Sequence, residues 1–168
     1  MSGLRINISK LSEGIHDRSL EVQPSEIGMD ERFADPVKVQ ATLEKSTKHI
    51  YLTADITAAG VFTCDRCVEE FRREFRTSYK VLYKFGFEEG TTPGEQEIVY
   101  IHPDTSFVDI AEDVRQYSIL AVPQKLLCRE DCKGICPTCG INRNRTTCKC
   151  EAEEVDPRWQ GLRKFLTN

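Results

Sequence analysis

Eight cysteines carry the chemistry of this chain, as Cys64-x-x-Cys67 and, far downstream, Cys128-x3-Cys132-x3-Cys136-x-x-Cys139-x8-Cys148-x-Cys150. Two residues between cysteines let a tight turn bring both sulfurs to one metal ion. In Cys136-Pro137-Thr138-Cys139-Gly140 the proline stiffens that turn, and the glycine permits the positive φ that aims backbone amides at the thiolates. Cys148 and Cys150 lie two apart, so in an extended segment both project from one face. Cys136, Cys139, Cys148 and Cys150 therefore make one closed site, and Cys64, Cys67, Cys128 and Cys132 remain for a second. Spacing leaves a rival pairing open, in which Cys64 and Cys67 join Cys136 and Cys139 in a two-knuckle ribbon. Zinc is the expected ion, with iron in a tetrathiolate site as the alternative.

Catalytic readings of the same residues fare worse. A redox Cys-x-x-Cys opens a helix after a strand, whereas Cys139 is followed by Gly-Ile-Asn-Arg-Asn with two more cysteines close by. None of His16, His49 or His102 sits in an H-x-E deaminase signature, and HExxH, GxxxxGK[ST] and GxSxG are absent. A four-thiolate site has no open position for water or substrate, so the expectation is a protein without catalytic residues. Residues 1–25 interleave Arg5, Lys10, Glu13, Asp17, Arg18 and Glu21 with apolar residues, leaving no leader-like run, and no stretch is apolar for long enough to span a bilayer. The expected location is the cytoplasm, without membrane attachment, where thiols stay reduced and clustered cysteines hold metal rather than disulfides.

The formal net charge of −4 does not favour nucleic acid, so that case has to come from local distribution. Residues 66–84 hold Arg66, Arg72, Arg73, Arg76, Lys80 and Lys84 against Glu69, Glu70 and Glu74. The cysteine-rich tail holds Arg129, Lys133, Arg143, Arg145 and Lys149 against Glu130 and Asp131. The candidate RNA contacts are Arg66, Arg72, Arg76, Lys80, Lys84, Lys133, Arg143 and Arg145, reaching phosphates from a strand face and the tail together. The plain counter-reading is a solvated strand face. Tyr51, Tyr79 and Tyr83 could stack on bases, but Tyr79 and Tyr83 fall on the apolar side of their strand and read as core.

These residues need elements to hold them. Val37, Val39, Ala41 and Leu43, then Ile50, Leu52, Ala54 and Ile56, alternate with polar residues across a turn at 45–48, which predicts an antiparallel hairpin. A long strand over 71–85 puts Phe71, Phe75, Tyr79, Val81, Tyr83 and Phe85 on one face and a cationic stripe on the other. Residues 88–95 have loop composition, and 97–101 suit a short strand. Spacings of three and four predict a helix over 107–122, started by Ser106 with Asp109 and stopped by Pro123. Asp156 and Pro157 open a last short helix with Trp159, Leu162, Phe165 and Leu166 along one edge. The expectation is an α+β fold with an antiparallel, barrel-like sheet. Its organisation is a β-rich domain over 1–125 with one central helix, a cysteine-rich zinc segment over 126–152, and a C-terminal helix over 153–168.

The segment Cys132-Lys133-Gly134-Ile135-Cys136-Pro137-Thr138-Cys139-Gly140, with Asn142, Asn144, Cys148 and Cys150, resembles the C-terminal signature of the YceD family. Thr63-Cys64-Asp65-Arg66-Cys67-Val68-Glu69 resembles its central motif, Asp109-Ile110-Ala111-Glu112-Asp113 with Leu120-Ala121-Val122-Pro123 its helix, and Asp156-Pro157-Arg158-Trp159 its ending. Arg143 stands where relatives are expected to carry asparagine followed by Leu-Asn. The resemblance implies a large ribosomal RNA subunit accumulation protein, acting in rRNA processing and ribosome assembly, with ribosomal RNA or pre-rRNA as partner. The family's link to a small zinc-binding ribosomal protein implies a protein partner, a ribosomal protein or a processing enzyme, as readily as RNA.

Overall fold

The structure, a computed structural model, describes residues 3–86, 97–150 and Arg158. In chain order it forms β1 (Arg5–Asn7), β2 (Gly14–Val22), a 3-10 turn (Pro24–Ile27), β3 (Val37–Lys45), β4 (His49–Thr63), β5 (Glu70–Phe85), β6 (Glu97–Ile101), β7 (Phe107–Asp109) and α1 (Ala111–Leu120). The alternating residues set the register. Val39 lies opposite Ile56, Ala41 opposite Ala54 and Leu43 opposite Leu52, while Leu52 faces Val81, Ala54 faces Tyr79 and Ala58 faces Phe75. Matching apolar residues across three strands gives one dry face, and a slip of one residue would turn all of them to water.

β4 runs on to Thr63 because Ala58 and Phe62 continue the alternation. Gly60 has to be glycine there, since the Arg32 carbonyl occupies the space of a Cβ and accepts the Val61 amide at 2.8 Å. The dry face is closed by α1, which packs against β4 and β5. Val114 and Ser118 are buried, the Ser118 hydroxyl donates to the Val114 carbonyl at 2.6 Å, and the Tyr117 ring stacks on Tyr79 with centroids 4.9 Å apart. Tyr79 and Tyr83 are therefore core residues and not a base-stacking platform.

Two expectations change. The sheet is open and mixed, in the order β2-β3-β4-β5-β6, with β6 parallel to β5, so the described residues form no closed barrel. Closure would join β2 to β6, but β2 is exposed along most of its length and has no continuous apolar face to roll over a core. The helix begins at Ala111, not at 107, because Val108 and Ile110 are both buried with strand spacing and residues 107–109 pair with β1. Pairing with a distant strand overrides the helical spacing, and the Asp109 carboxylate, rather than Ser106, accepts the Ala111 amide at 3.0 Å. The expected loop over 88–95 and, Arg158 aside, the C-terminal helix lie outside the described residues. No helix among the described residues is long and apolar enough to cross a membrane.

Candidate metal centres

Cys64 follows the last residue of β4, and Cys64 to Cys67 forms the turn before β5. The turn is closed by the Val68 amide donating to the Cys64 carbonyl at 2.9 Å, and the downstream turn repeats this with the Gly140 amide on the Cys136 carbonyl at 2.9 Å. Val68 and Gly140 are both left-handed, with φ of 60° and 73°. The segment after α1 is brought over the first turn by Asp65, whose amide donates to the Leu126 carbonyl at 2.8 Å while its carboxylate accepts the Leu126 amide at 2.5 Å.

The result is two quartets, Cys64, Cys67, Cys128 and Cys132 in one and Cys136, Cys139, Cys148 and Cys150 in the other, with the sulfurs of each within 4.8 Å of one another. The rival pairing of Cys64 and Cys67 with Cys136 and Cys139 is not the one the chain makes. All eight are free thiols. In the first quartet Cys64 and Cys132 sulfurs are 3.8 Å apart and Cys67 and Cys128 sulfurs 3.7 Å apart. A tetrahedron of sulfurs at the usual zinc–sulfur distance of about 2.3 Å has edges of about 3.8 Å, so the donor set fits a four-coordinate ion.

The electrostatics of the quartets agree with that fit. Burial pushes the Cys64 thiol up, but backbone amides of Cys128, Cys67 and Arg66 outweigh it and hold the thiol at about 6. Amides of Cys139 and Thr138 bring Cys136 to about 6 as well. In the same two groups, burial and the neighbouring thiols push Cys128 up to about 12, and the Cys139 thiol followed by burial pushes Cys150 up to about 12. Such crowded sulfurs cannot all be thiolates against mutual repulsion unless a cation sits among them. The donor chemistry and the spacing ask for the same thing, a soft or borderline divalent ion. The first quartet is the more enclosed, with Cys64, Cys67 and Cys132 buried beside Phe71 and Leu127, whereas Cys139 and Cys150 are exposed.

The quartets are locked together by residues between them. The Asn144 amide donates to the Cys132 sulfur at 3.3 Å, and its carbonyl oxygen accepts the Lys133 backbone amide and the Arg129 guanidinium, each at 2.8 Å. Burial opposes the Cys132 thiolate, and Asn144 together with the Gly134 amide lowers its pKa overall. Arg66 donates to the Cys132 carbonyl at 2.8 Å, and its own carbonyl accepts the Ile135 amide at 3.0 Å. Gly134 allows that approach, since a Cβ on it would lie 2.9 Å from the Arg66 oxygen and its φ is 72°. Arg145 adds an ion pair to Glu69 at 2.7 Å.

The candidate RNA contacts divide along β5. Arg66, Arg72, Lys133, Arg143 and Arg145 belong to the cysteine end, while Lys84 lies opposite His49 at the other end, roughly 40 Å from Arg72 at strand rise. Between them stand Arg76 and Lys80. The stripe is less cationic than its sequence, because Arg72 pairs with Asp35 at 2.6 Å, Arg76 with Glu74 at 2.8 Å, and Ser78 lies opposite Asp55 on β4. Two cations outside that set, Arg73 and Lys125, together with Arg129, line a cleft at the cysteine end. Strict alternation assigns Arg73 to the apolar face, and Lys125 falls in a linker without periodicity, so neither carries a sequence signal. Asn144 carries one only as a member of the cysteine-region motif.

Comparison with known proteins gives a consistent picture. The sequence model of the YceD family, described as large ribosomal RNA subunit accumulation protein YceD, matches residues 52–166. An uncharacterized protein of Mycobacterium tuberculosis is 24% identical over 147 residues, covering 85% of this chain and 70% of its own length. A protein of Arabidopsis thaliana named large ribosomal RNA subunit accumulation protein YCED homolog 1, chloroplastic, is 22% identical over 186 residues, covering 94% of this chain and 58% of its own. Its counterpart in Zea mays is 38% identical over a shorter stretch of 56 residues, 33% of this chain and 18% of its own. No solved structure matches the chain.

Proposed function

We propose that this chain, which belongs to the YceD family, is a non-catalytic factor in large-subunit ribosomal RNA accumulation and ribosome assembly that contacts rRNA through a basic surface organised by structural zinc. The observation that carries the reading is the interlocked pair of four-sulfur groups, which turns a segment with little apolar periodicity into a defined surface bearing Arg66, Arg72, Lys133, Arg143 and Arg145. Cys64, Cys67, Cys128 and Cys132 would hold one ion and Cys136, Cys139, Cys148 and Cys150 the other. With four protein ligands each, the ions supply folding free energy, not a site for chemistry. Arg76, Lys80 and Lys84 follow Arg72 along one face of β5. The family description ties this kind of protein to the large ribosomal subunit, and phosphate contact by arginine and lysine is the chemistry such a surface provides.

A second reading, an adaptor for a ribosomal protein or a processing enzyme, is favoured by exposed apolar residues beside the cysteines, Val68, Ile135 and Ile141. Crosslinking in cells, with identification of both the RNA and the protein attached to the chain, separates the two. Large-subunit rRNA or its precursor at the arginines and lysines above supports the first reading. Protein crosslinks alone, made as well after RNA is digested, would replace it by the second.

A further inference from the structure

We propose that the cleft between the start of β5 and residues 125–130 seats the backbone of an unpaired RNA segment, with Arg73 and Lys125 as its phosphate contacts and Phe71 as the surface for a base or ribose. This rests on the rRNA reading above and gives it a location. The cleft encloses about 340 Å³ and is lined by Phe71, Arg72, Arg73, Lys125, Arg129 and Glu130, with Leu127 and Cys128 behind them. Four cations face one acid there, in a chain whose formal net charge is −4. No other cleft described has this balance, since the one beside Asp55 holds Arg76 alone and the one beside Glu13 holds Lys45 alone.

The four cations are not equally available. Arg72 is engaged with Asp35 at 2.6 Å, and Arg129 with Asp131 at 3.4 Å and the Asn144 carbonyl oxygen at 2.8 Å. Arg73 lies over the Phe75 ring at 5.7 Å, and neither it nor Lys125 forms a salt bridge among the described residues. Both are exposed. Phe71 is half-buried, packs on both the first quartet and the sheet core, and contributes to the cleft lining. An aromatic surface flanked by free cations is the arrangement that binds single-stranded nucleic acid, the cations tracking phosphates and the ring taking a base or sugar. A duplex would keep its bases from the ring, which is why an unpaired segment fits.

Cys128 forms part of the cleft wall, and Asp65 fixes Leu126 against the first turn, so the metal site holds Lys125 and Arg129 opposite Arg73. Lys125 and Arg129 come from a segment without regular structure, and the hydrogen bonds of Asp65 to Leu126 and of Asn144 to Arg129 hold it beside the sulfur cluster.

The test compares the metal-loaded chain with Arg73→Gln/Lys125→Gln and, as a charge-matched control at exposed lysines outside the cleft, Lys10→Gln/Lys38→Gln. Binding to a short single-stranded RNA from the large-subunit rRNA and to an RNA duplex is measured over a range of salt, with zinc content and thermal melting checked for each variant. The cleft variant should bind the single strand on the order of ten-fold more weakly, with a salt slope shallower by about 0.7 per cation removed. The control should lose less, and the unaltered chain should prefer the single strand. If the unaltered chain binds RNA and the cleft variant binds equally well, the cleft assignment is wrong while the rRNA reading stands. If the unaltered chain binds no RNA, both fall. A cleft variant that loses zinc instead of RNA would mean that these cations serve only to offset the thiolate charge, and a phosphoserine peptide that displaces RNA at equal charge would make the site a protein-binding one. Either result overturns the proposal.

Discussion

Val68 and Gly140 stand at the same point of two similar turns, and only one of them is suited to it. A β-branched residue in the left-handed region places Cβ against the following carbonyl, which costs about 1–2 kcal/mol. Val68 is 63% exposed, so little burial offsets that strain. Val68→Gly should therefore raise the stability of the metal-loaded protein by about 0.5–1 kcal/mol, the strain relieved being partly cancelled by the flexibility of glycine in the unfolded chain. Denaturant unfolding checks this, and a loss of stability would mean that the valine side chain makes a contact that outweighs its backbone. Gly134 argues in the opposite direction. Gly134→Ala combines a left-handed backbone with a Cβ 2.9 Å from the Arg66 oxygen, and should destabilise the cysteine region by about 2 kcal/mol, visible as faster zinc release to a chelator.

At the scale of elements, the second turn is held to the first by the three hydrogen bonds of Asn144. Asn144→Ala takes the side-chain partner from the exposed Lys133 amide and leaves the Cys132 sulfur with the Gly134 amide, a cost of about 1 kcal/mol. Because the asparagine comes from the loop of one quartet and serves the other, the substitution should speed zinc release from both sites, whereas Cys150→Ser should affect the second site first. Monitoring release with a chromophoric chelator distinguishes one phase from two, and unchanged kinetics in Asn144→Ala would remove the coupling. This coupling is where sequence reasoning reaches its limit. The hairpin of β3 and β4 and the inward face of β5 were legible because period-two alternation maps directly onto a pleated strand. The strand at 107–109 was not, since its partner at 5–7 is a hundred residues away and nothing local marks the pairing. The two turns were visible as Cys-x-x-Cys, but which distant sulfurs meet depends on Asp65 reaching Leu126, a contact without periodicity or composition to announce it. The open sheet was hidden for a similar reason, because β6 pairs in parallel with β5 and a short apolar run does not carry its direction.

For the whole molecule, the sheet and the cysteine region draw on different sources of stability. The buried core from Val37 to Tyr83, with Val108, Ile110 and Val114, is continuous without any cysteine, while the smaller cluster of Cys64, Cys67 and Cys132 packs with Leu127, Cys128 and Phe71, which also touches the main core. Acid should separate them. Backbone amides hold Cys64 and Cys136 at about 6 against an ordinary thiol value of 9.0, so the folded state favours their thiolates. That contribution is complete above the ordinary value and is lost as pH falls through about 6, and a bound divalent ion shifts the loss to still lower pH because protons must then compete with the metal. Zinc should stay bound at neutral pH and leave on acidification below about 6, and proteolysis should then cut within 126–150 while the β-sheet circular dichroism persists. Chelation at neutral pH should produce the same partly unfolded state. If sheet and cysteine region were instead lost in a single transition under both treatments, the ions would be stabilising the entire fold, and the cleft beside Cys128 could not be opened without unfolding the strands that form its other wall.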